Sequence, residues 1–463
     1  MKMAIIRPLI AVLLILGGLS GLSYGSDLED KLIAEITTPY RDSEKAANAR
    51  LNNIKELLGK GADPNAKNQD GDTALIIAAV NGDLNGTKLL LEKGADVNAK
   101  AKKDSATALM AAAFNGDQEL TAALLAKNAD VKAVNKDGET ALLVAVAQEC
   151  PEVAKLLVAK GAEVNVKRSR DDATPLMVAA INGDVEAARF LLGKKADLKA
   201  VNKSGDTALT IAVADGNVDM VTLLLDKGAD VNVKGAKDGI TPLIVAAYNG
   251  DVETGRALVD NKADVNAKDN DGDTALLIAA DNDYPEMVKL LLDSGAEVNT
   301  KGKDGLTPLM AGASNGNMSV VKLALDRGAD IHAKTSDGAT ALMFAANVGD
   351  VAVLKALLDK GAKAEDGDKT GLTPLMVAAQ EGYAEAVKTL LEKGANVNAR
   401  TETGATALMK ASFRVGNAPV VKLLLDKGAD VKPAATGGGT AWIIANVAGD
   451  KAILKLLSSR GAQ

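Results

Sequence analysis

The chain has 463 residues, a formal net charge of −7, 2% aromatic residues, one Cys and one His. A lone His332 excludes a multi-histidine metal centre and any catalytic scheme needing two imidazoles, and a lone Cys150 excludes intramolecular disulfides, zinc clusters and CxxC redox chemistry. The acidic balance argues against a general nucleic-acid binder, and the shortage of aromatics argues against conventional cores, although length alone suggests about three domains.

Residues 1–25 read as a secretory signal peptide. Lys2 and Arg7 give a basic start, Leu9 to Leu16 an apolar run, and small residues lead to an expected cleavage after Gly25. The run is short for a stable span and is followed by Gly17, Gly18 and Gly21; an uncleaved anchor is the alternative reading. Loss of Lys2 and Arg7 takes the charge from −7 to −9. With one Cys, an exported chain has no disulfide staple, so packing alone must hold it.

Beyond the leader, Leu51 to Lys67 reads as a helix and exit loop, preceded by a first helix expected over 38–47. Thr-Ala-Leu or Thr-Pro-Leu then recurs with Thr at 73, 107, 140, 174, 207, 241, 274, 307, 340, 373 and 406, and as Thr440-Ala441-Trp442, always 33 or 34 residues apart. So fixed a period marks a solenoid instead of separate globular domains.

Each copy has the same grammar. In the first, Asp70-Gly71-Asp72 is a turn and Thr73 caps a short helix running to Val80. Asn81-Gly82-Asp83 breaks the chain, and Asp83 caps a second helix from Leu84 to Lys93. Gly94 closes that helix in a left-handed conformation, and Ala95 to Lys100 forms the exit. Pro175, Pro242, Pro308 and Pro374 stand in the first turn of their helices, where a missing N–H costs nothing.

A turn, two antiparallel helices and a Gly-Ala-Asp-Val-Asn exit in 33 residues resembles the ankyrin repeat, from about residue 70 to the C-terminus. The expected fold is therefore an all-α solenoid of about thirteen stacked ankyrin repeats. Its expected divisions are a leader (1–25), a lead and degenerate capping repeat (26–67), eleven repeats (68–435) and a C-terminal cap (436–463). Ankyrin repeats commonly carry His three residues after the Thr, tying neighbouring turns by hydrogen bonds. Here that position holds Ile76, Met110, Leu143, Met177, Thr210, Ile244, Leu277, Met310, Met343, Met376, Met409 and Ile443, so apolar packing is expected in place of the polar network. The six Met are read as core, not as a metal or cofactor site.

A second period of 67 residues runs through the first. Asn128, Lys195 and Lys262 replace the Gly that closes the second helix; a left-handed Lys is strained by ~1 kcal/mol, which suggests a different closure in these copies. Phe114, Ile181 and Tyr248 recur at the same spacing, seven residues after their Thr. The resemblance implies that a partner binds at the turn tips and the concave end of the first helix. Carried onto this chain, that selects Phe114, Ile181, Tyr248 and Phe413 at the helix end, and Ile240, Leu306 and Leu372 just before the Thr. Two readings of these residues stand: a partner-contacting stripe, or ordinary packing on the neighbouring turn.

Other chemistry finds little support. Asp269-Asn270-Asp271-Gly272-Asp273 invites a calcium loop, but Ala267 and Ile278 stand where the first and last ligands should be. Cys150 precedes Pro151 at a helix start, where a thiol pKa can fall, yet Glu149 and Glu152 flank it and no base accompanies it. His332 takes a polar turn position that is Asn in other copies. P-loop and GxSxG patterns are absent. The expected function is a non-catalytic protein-binding scaffold in the periplasm or secreted, without cofactor or metal. It is expected to be monomeric and to bind no nucleic acid, and to meet a membrane only through an uncleaved leader. A secreted effector acting on host proteins and an enzyme with an atypical groove site are the alternatives.

Overall fold

A computed structural model describes residues 27–38 and 44–462. The expected leader lies outside the described residues. Among those described are 26 α-helices, one short 3-10 turn and three isolated β-bridges, with no strand. The chain divides after Val231 into two compact units.

Both units are built from one local device. Each of the twelve repeat Thr residues has an extended backbone, and its hydroxyl accepts a hydrogen bond from the backbone N–H three residues on, as Thr73 does from Ile76. Eleven of the twelve are buried. The cap fixes the phase of a helix only two turns long, so the third residue after it points into the stack in every copy but the last, where Ile443 is 43% exposed. All six Met at that position are buried, as are Ile76, Leu143, Ile244 and Leu277. Thr210 is there for another reason: its hydroxyl accepts from the Thr207 N–H at 2.8 Å, completing a capping box.

The first unit holds six helix pairs. Helix α1 (Asp27–Thr37) and helix α2 (Glu44–Gly59) form the leading pair, followed by five repeats from Ala74–Val80 to Val218–Asp226. The first helix of the leading pair therefore lies eleven residues before the expected start at 38; residues 39–43 are outside the described ones. Leu32 and Ile36 on α1 are fully buried, and the carbonyls at its end are satisfied from its neighbours. The Arg50 guanidinium donates to Glu35 O (2.6 Å) and Ile36 O (2.7 Å), and Asn81 Nδ2 to Ile36 O (2.9 Å).

The second unit holds seven pairs, from Pro242–Asn249 to Lys451–Ser458, around a core of Ala, Leu, Val and Met. Ala or Gly five residues after the Thr is buried in every copy of both units, so neighbouring first helices approach closely. Its last repeat is held to the one before through Arg460, which donates to Leu425 O (3.1 Å) and to Asp426 (2.7 Å).

The second helices close alike in both units. Gly94 takes φ 93°, and Asn128, Lys195 and Lys262 take φ 61°, 67° and 67°. The expectation of a different closure is thus overturned: these copies accept the left-handed strain, because the next N–H still bonds into the last turn, as Ala196 N–H does to Leu191 O at 3.0 Å.

Candidate functional site: the ends of the first helices

The two residues before position seven are buried in all copies but the last, and most are Ala, as in Ala78 and Ala79, Ala112 and Ala113, Ala246 and Ala247; in the last, Asn446 is exposed. Position seven then turns outward where the helix stops. It holds Val80, Phe114, Ala147, Ile181, Ala214, Tyr248, Asp281, Ser314, Asn347, Gln380, Phe413 and Val447, and none of the twelve is buried. Packing sets the helix up to this point and leaves this side chain half-buried or exposed.

Of the residues singled out by sequence, Phe114 and Ile181 in the first unit are half-buried. In the second unit Tyr248 is 44% and Phe413 76% exposed, whereas Ile240, Leu306 and Leu372 are half-buried. Leu306 and Leu372 pack against the core of that unit. Tyr248 faces the acidic repeat that follows it: burial raises its phenol pKa, and the charges of Asp269, Asp273, Asp271 and Asp281 add to the effect. Sequence reading missed Val447, which occupies the same position as Phe413 in the next repeat and is 83% exposed, and Val415, 66% exposed. Both signals were available, one from the position itself and the other from an extra residue in that copy.

The ties between repeats are polar after all, so the expectation of apolar packing in their place is corrected. They sit elsewhere than the missing His. In the exits, an Asn side chain accepts from a backbone N–H of the next repeat: Asn98 from Asp130, Asn165 from Asp197, Asn299 from Asp330, Asn398 from Asp430, at 2.7–2.9 Å. At the helix ends, Asn115, Asn182 and Asn315 donate to the last carbonyls of the preceding first helix. Turn tips are joined by backbone bonds, such as Lys136 N–H to Asp104 O (2.7 Å) and Lys369 N–H to Asp337 O (2.9 Å). His332 replaces one exit Asn; its Nδ1 lies 3.9 Å from Asp366 and its side chain is half exposed.

A buried ion cluster in the first unit was also missed. Arg168, 2% exposed, donates to both oxygens of Asp171 (2.9 and 2.6 Å) and to Glu139 of the preceding turn at 3.5 Å. Burial raises the Asp171 pKa, but the Arg168 hydrogen bonds and charge outweigh it and hold the carboxyl below its ordinary value. Locally Arg168-Ser169-Arg170-Asp171-Asp172 reads as a solvated charge run, and only Glu139, 29 residues away, reveals its role.

Reactive chemistry is weak where sequence sought it. Burial, reinforced by the Glu149 charge, pushes the Cys150 thiol up, against the lowering a helix start alone would give, and its Sγ donates to Gln148 O at 3.3 Å. Asp273 is raised by burial and by Asp269, Asp271 and Asp281, although the Lys303 N–H it accepts works the other way. Among the described residues no group of three or more His, Cys, Asp or Glu is arranged to hold a metal ion, and no helix is long and apolar enough to cross a membrane.

Comparison with known proteins agrees with this architecture. The model of ankyrin repeats in three copies matches residues 44–135, 87–168, 167–235, 232–302 and 309–401, and that of the single ankyrin repeat matches 403–435. An ankyrin repeat and KH domain-containing protein of Caenorhabditis briggsae is 32% identical over 84 residues, 18% of this chain and 3% of its own length. The chain thus matches only a small part of that relative. The crystal structure of the human ASB11 ankyrin repeat domain is similar at 27% identity with a TM-score of 0.44, over 48% of this chain and 99% of that one. With repeat matches over most of its length and the capped helix pairs to account for them, the chain belongs to the ankyrin repeat family.

Proposed function

We propose that the protein is a non-catalytic scaffold that binds a partner protein through the exposed ends of its first helices and the adjacent turn tips. Ankyrin repeats typically mediate protein–protein binding and are generally non-catalytic. The observation that carries the reading for this chain is position seven: twelve copies, none buried, holding residues from Ala and Asp to Phe and Tyr. A position that no copy buries can take whatever side chain a partner selects, and Phe and Tyr are the types that supply binding energy. The basic start and apolar run of residues 1–25 support export of this scaffold to the periplasm or beyond, and we read it as a monomer there.

Affinity capture from periplasmic extract tests this. The wild-type chain should recover one dominant protein, and a Phe114→Ser, Tyr248→Ser variant should recover it at least tenfold less, the loss expected for two aromatic contacts at about 1 kcal/mol or more each. Equal capture by both folded proteins would overturn the assignment of the face. Mass spectrometry of the secreted chain should find an N-terminus near Ser26; an intact Met1 in the membrane fraction would replace export with anchoring.

A further inference from the structure

The three most exposed large apolar side chains among the described residues lie together in two successive repeats: Phe413 (76%), Val415 (66%) and Val447 (83%). Phe413 and Val447 hold position seven on helices Ala407–Phe413 and Ala441–Ala448, which pack side by side. The repeat beginning at Thr406 also carries one residue more than its neighbours between the Thr and the loop Gly: Gly416 is ten residues on, where Gly382 and Gly449 are nine. The chain takes up this residue by leaving the helix at Arg414 (φ −94°, ψ 117°).

The resulting bulge is firmly built. Asn417, 5% exposed, donates to Ala379 O (2.9 Å) and Ala411 O (3.0 Å), and the Gly416 N–H donates to Asp450 Oδ2 (2.8 Å). Val415 is thus held out by fixed backbone bonds. One turn before Phe413 stands Lys410, at a position that is Ile, Val, Ala or Phe in the other eleven copies. It is half-buried and has no ion-pair partner among the described residues, while the nearby Arg414 is matched by Glu381 at 3.5 Å.

We infer that Phe413, Val415 and Val447, with Lys410, form a docking site for an acidic amphipathic helix of a partner protein. The inference rests on the scaffold reading and deepens it. The apolar side chains take the buried face of that helix, and a carboxylate on it meets Lys410, a cation standing where the other eleven copies are apolar and without an ion-pair partner among the described residues. A second copy of the chain is a poorer match: beside the patch Glu381 is already matched by Arg414 and Asp450 by the Gly416 N–H, so a two-fold pairing would bring Lys410 no free carboxylate. An anionic bilayer does not fit either, because such surfaces are recognised by clusters of about four to eight cations.

The test pans a random peptide display library on the full chain and measures the enriched peptides by fluorescence anisotropy. Peptides with apolar residues at helical spacing and a Glu or Asp are expected. Their affinity should fall about tenfold or more for Phe413→Ser, Val447→Ser. It should also fall about tenfold for Lys410→Glu, and return when the peptide's own acid is changed to Lys. No enrichment over the Phe413→Ser, Val447→Ser chain, or peptides without an acidic preference, would overturn the inference. So would sedimentation showing a wild-type dimer lost in that variant, or wild-type binding to phosphatidylglycerol vesicles in place of peptide. If the periplasmic partner is captured but ignores these variants, this site fails and the scaffold reading stands. If no partner is captured through any first-helix end, both fail.

Discussion

Gly349 gives a prediction in which backbone strain and packing can be separated. It ends the first helix of its repeat with φ 74°, and a Cβ built on it would sit 2.5 Å from Cγ of Tyr383 in the next repeat. Gly328, in the same unit with φ 81°, would meet nothing within 4 Å. Both glycines to Ala incur the left-handed penalty of about 1–2 kcal/mol, partly offset by about 0.4–1 kcal/mol of lost unfolded-state freedom. Only Gly349→Ala must also push an aromatic ring aside, an overpacking cost of about 1–3 kcal/mol. Gly328→Ala should therefore cost about 1 kcal/mol and Gly349→Ala about 2–4 kcal/mol. Adding Tyr383→Asp, which restores the Asp cap used at Asp350, should bring the double variant back to the Gly328→Ala level. Urea titrations followed by far-ultraviolet circular dichroism and by the fluorescence of Trp442, the one Trp and a resident of this unit, measure all three. Equal midpoints for Gly349→Ala and Gly328→Ala would refute the packing argument.

In the first unit, Arg168→Met should lower stability by about 2–4 kcal/mol, since it leaves the buried Glu139 without its cation, and Glu139→Gln in the same chain should recover at least about 1 kcal/mol in the urea midpoint. Lys195→Gly should stabilise by about 0.5–1 kcal/mol, because the native φ of 67° already suits glycine; a loss would show that the Lys195 side chain matters more than its backbone. Carboxyls titrate with two signs. Asp450, lowered by the N–H groups of Gly416 and Ile453, contributes stability that is full above its ordinary pKa of 3.8 and is lost as pH falls through the lower folded value. Asp273 is raised, so its charge costs stability as pH rises through its folded pKa, and Asp273→Asn should raise the urea midpoint at pH 7 while leaving the low-pH limb, set by groups such as Asp450, in place.

The helices were legible because each is punctuated by its own residues. Thr73 with its eleven successors, Asp83 and Gly94 act on backbone groups three or four positions away, so their effect can be read locally. In four copies the usual Asp or Asn cap bond of the second helix is absent, at Cys150, Tyr284, Tyr383 and Asn417. There Pro151, Pro285 and Pro419 in the first turn remove one of its unpaired N–H groups and pre-set the helical φ, and only Tyr383 has no such Pro. What sequence did not disclose acts between repeats. Arg168 is buried by Glu139 from the preceding turn, Leu306 and Leu372 are drawn into the core beside them, and α1 was recognised as a first helix only through Arg50 and Asn81. Position seven lay between these cases: its periodicity marked it, but its exposure, and so the difference between Tyr248 or Phe413 and half-buried Ile181, depended on neighbours.

Site-directed photocrosslinking can decide whether the ends of the first helices are the partner-binding face. A photoreactive phenylalanine analogue is placed at position seven (Phe114, Tyr248, Phe413) and, as a comparison, at exposed second-helix positions (Lys155, Lys355, Lys388) of the full chain expressed in cells. A discrete protein adduct is expected from the position-seven sites and none from the second helices. Adducts of equal yield from both sets, or from the second helices alone, would contradict this expectation.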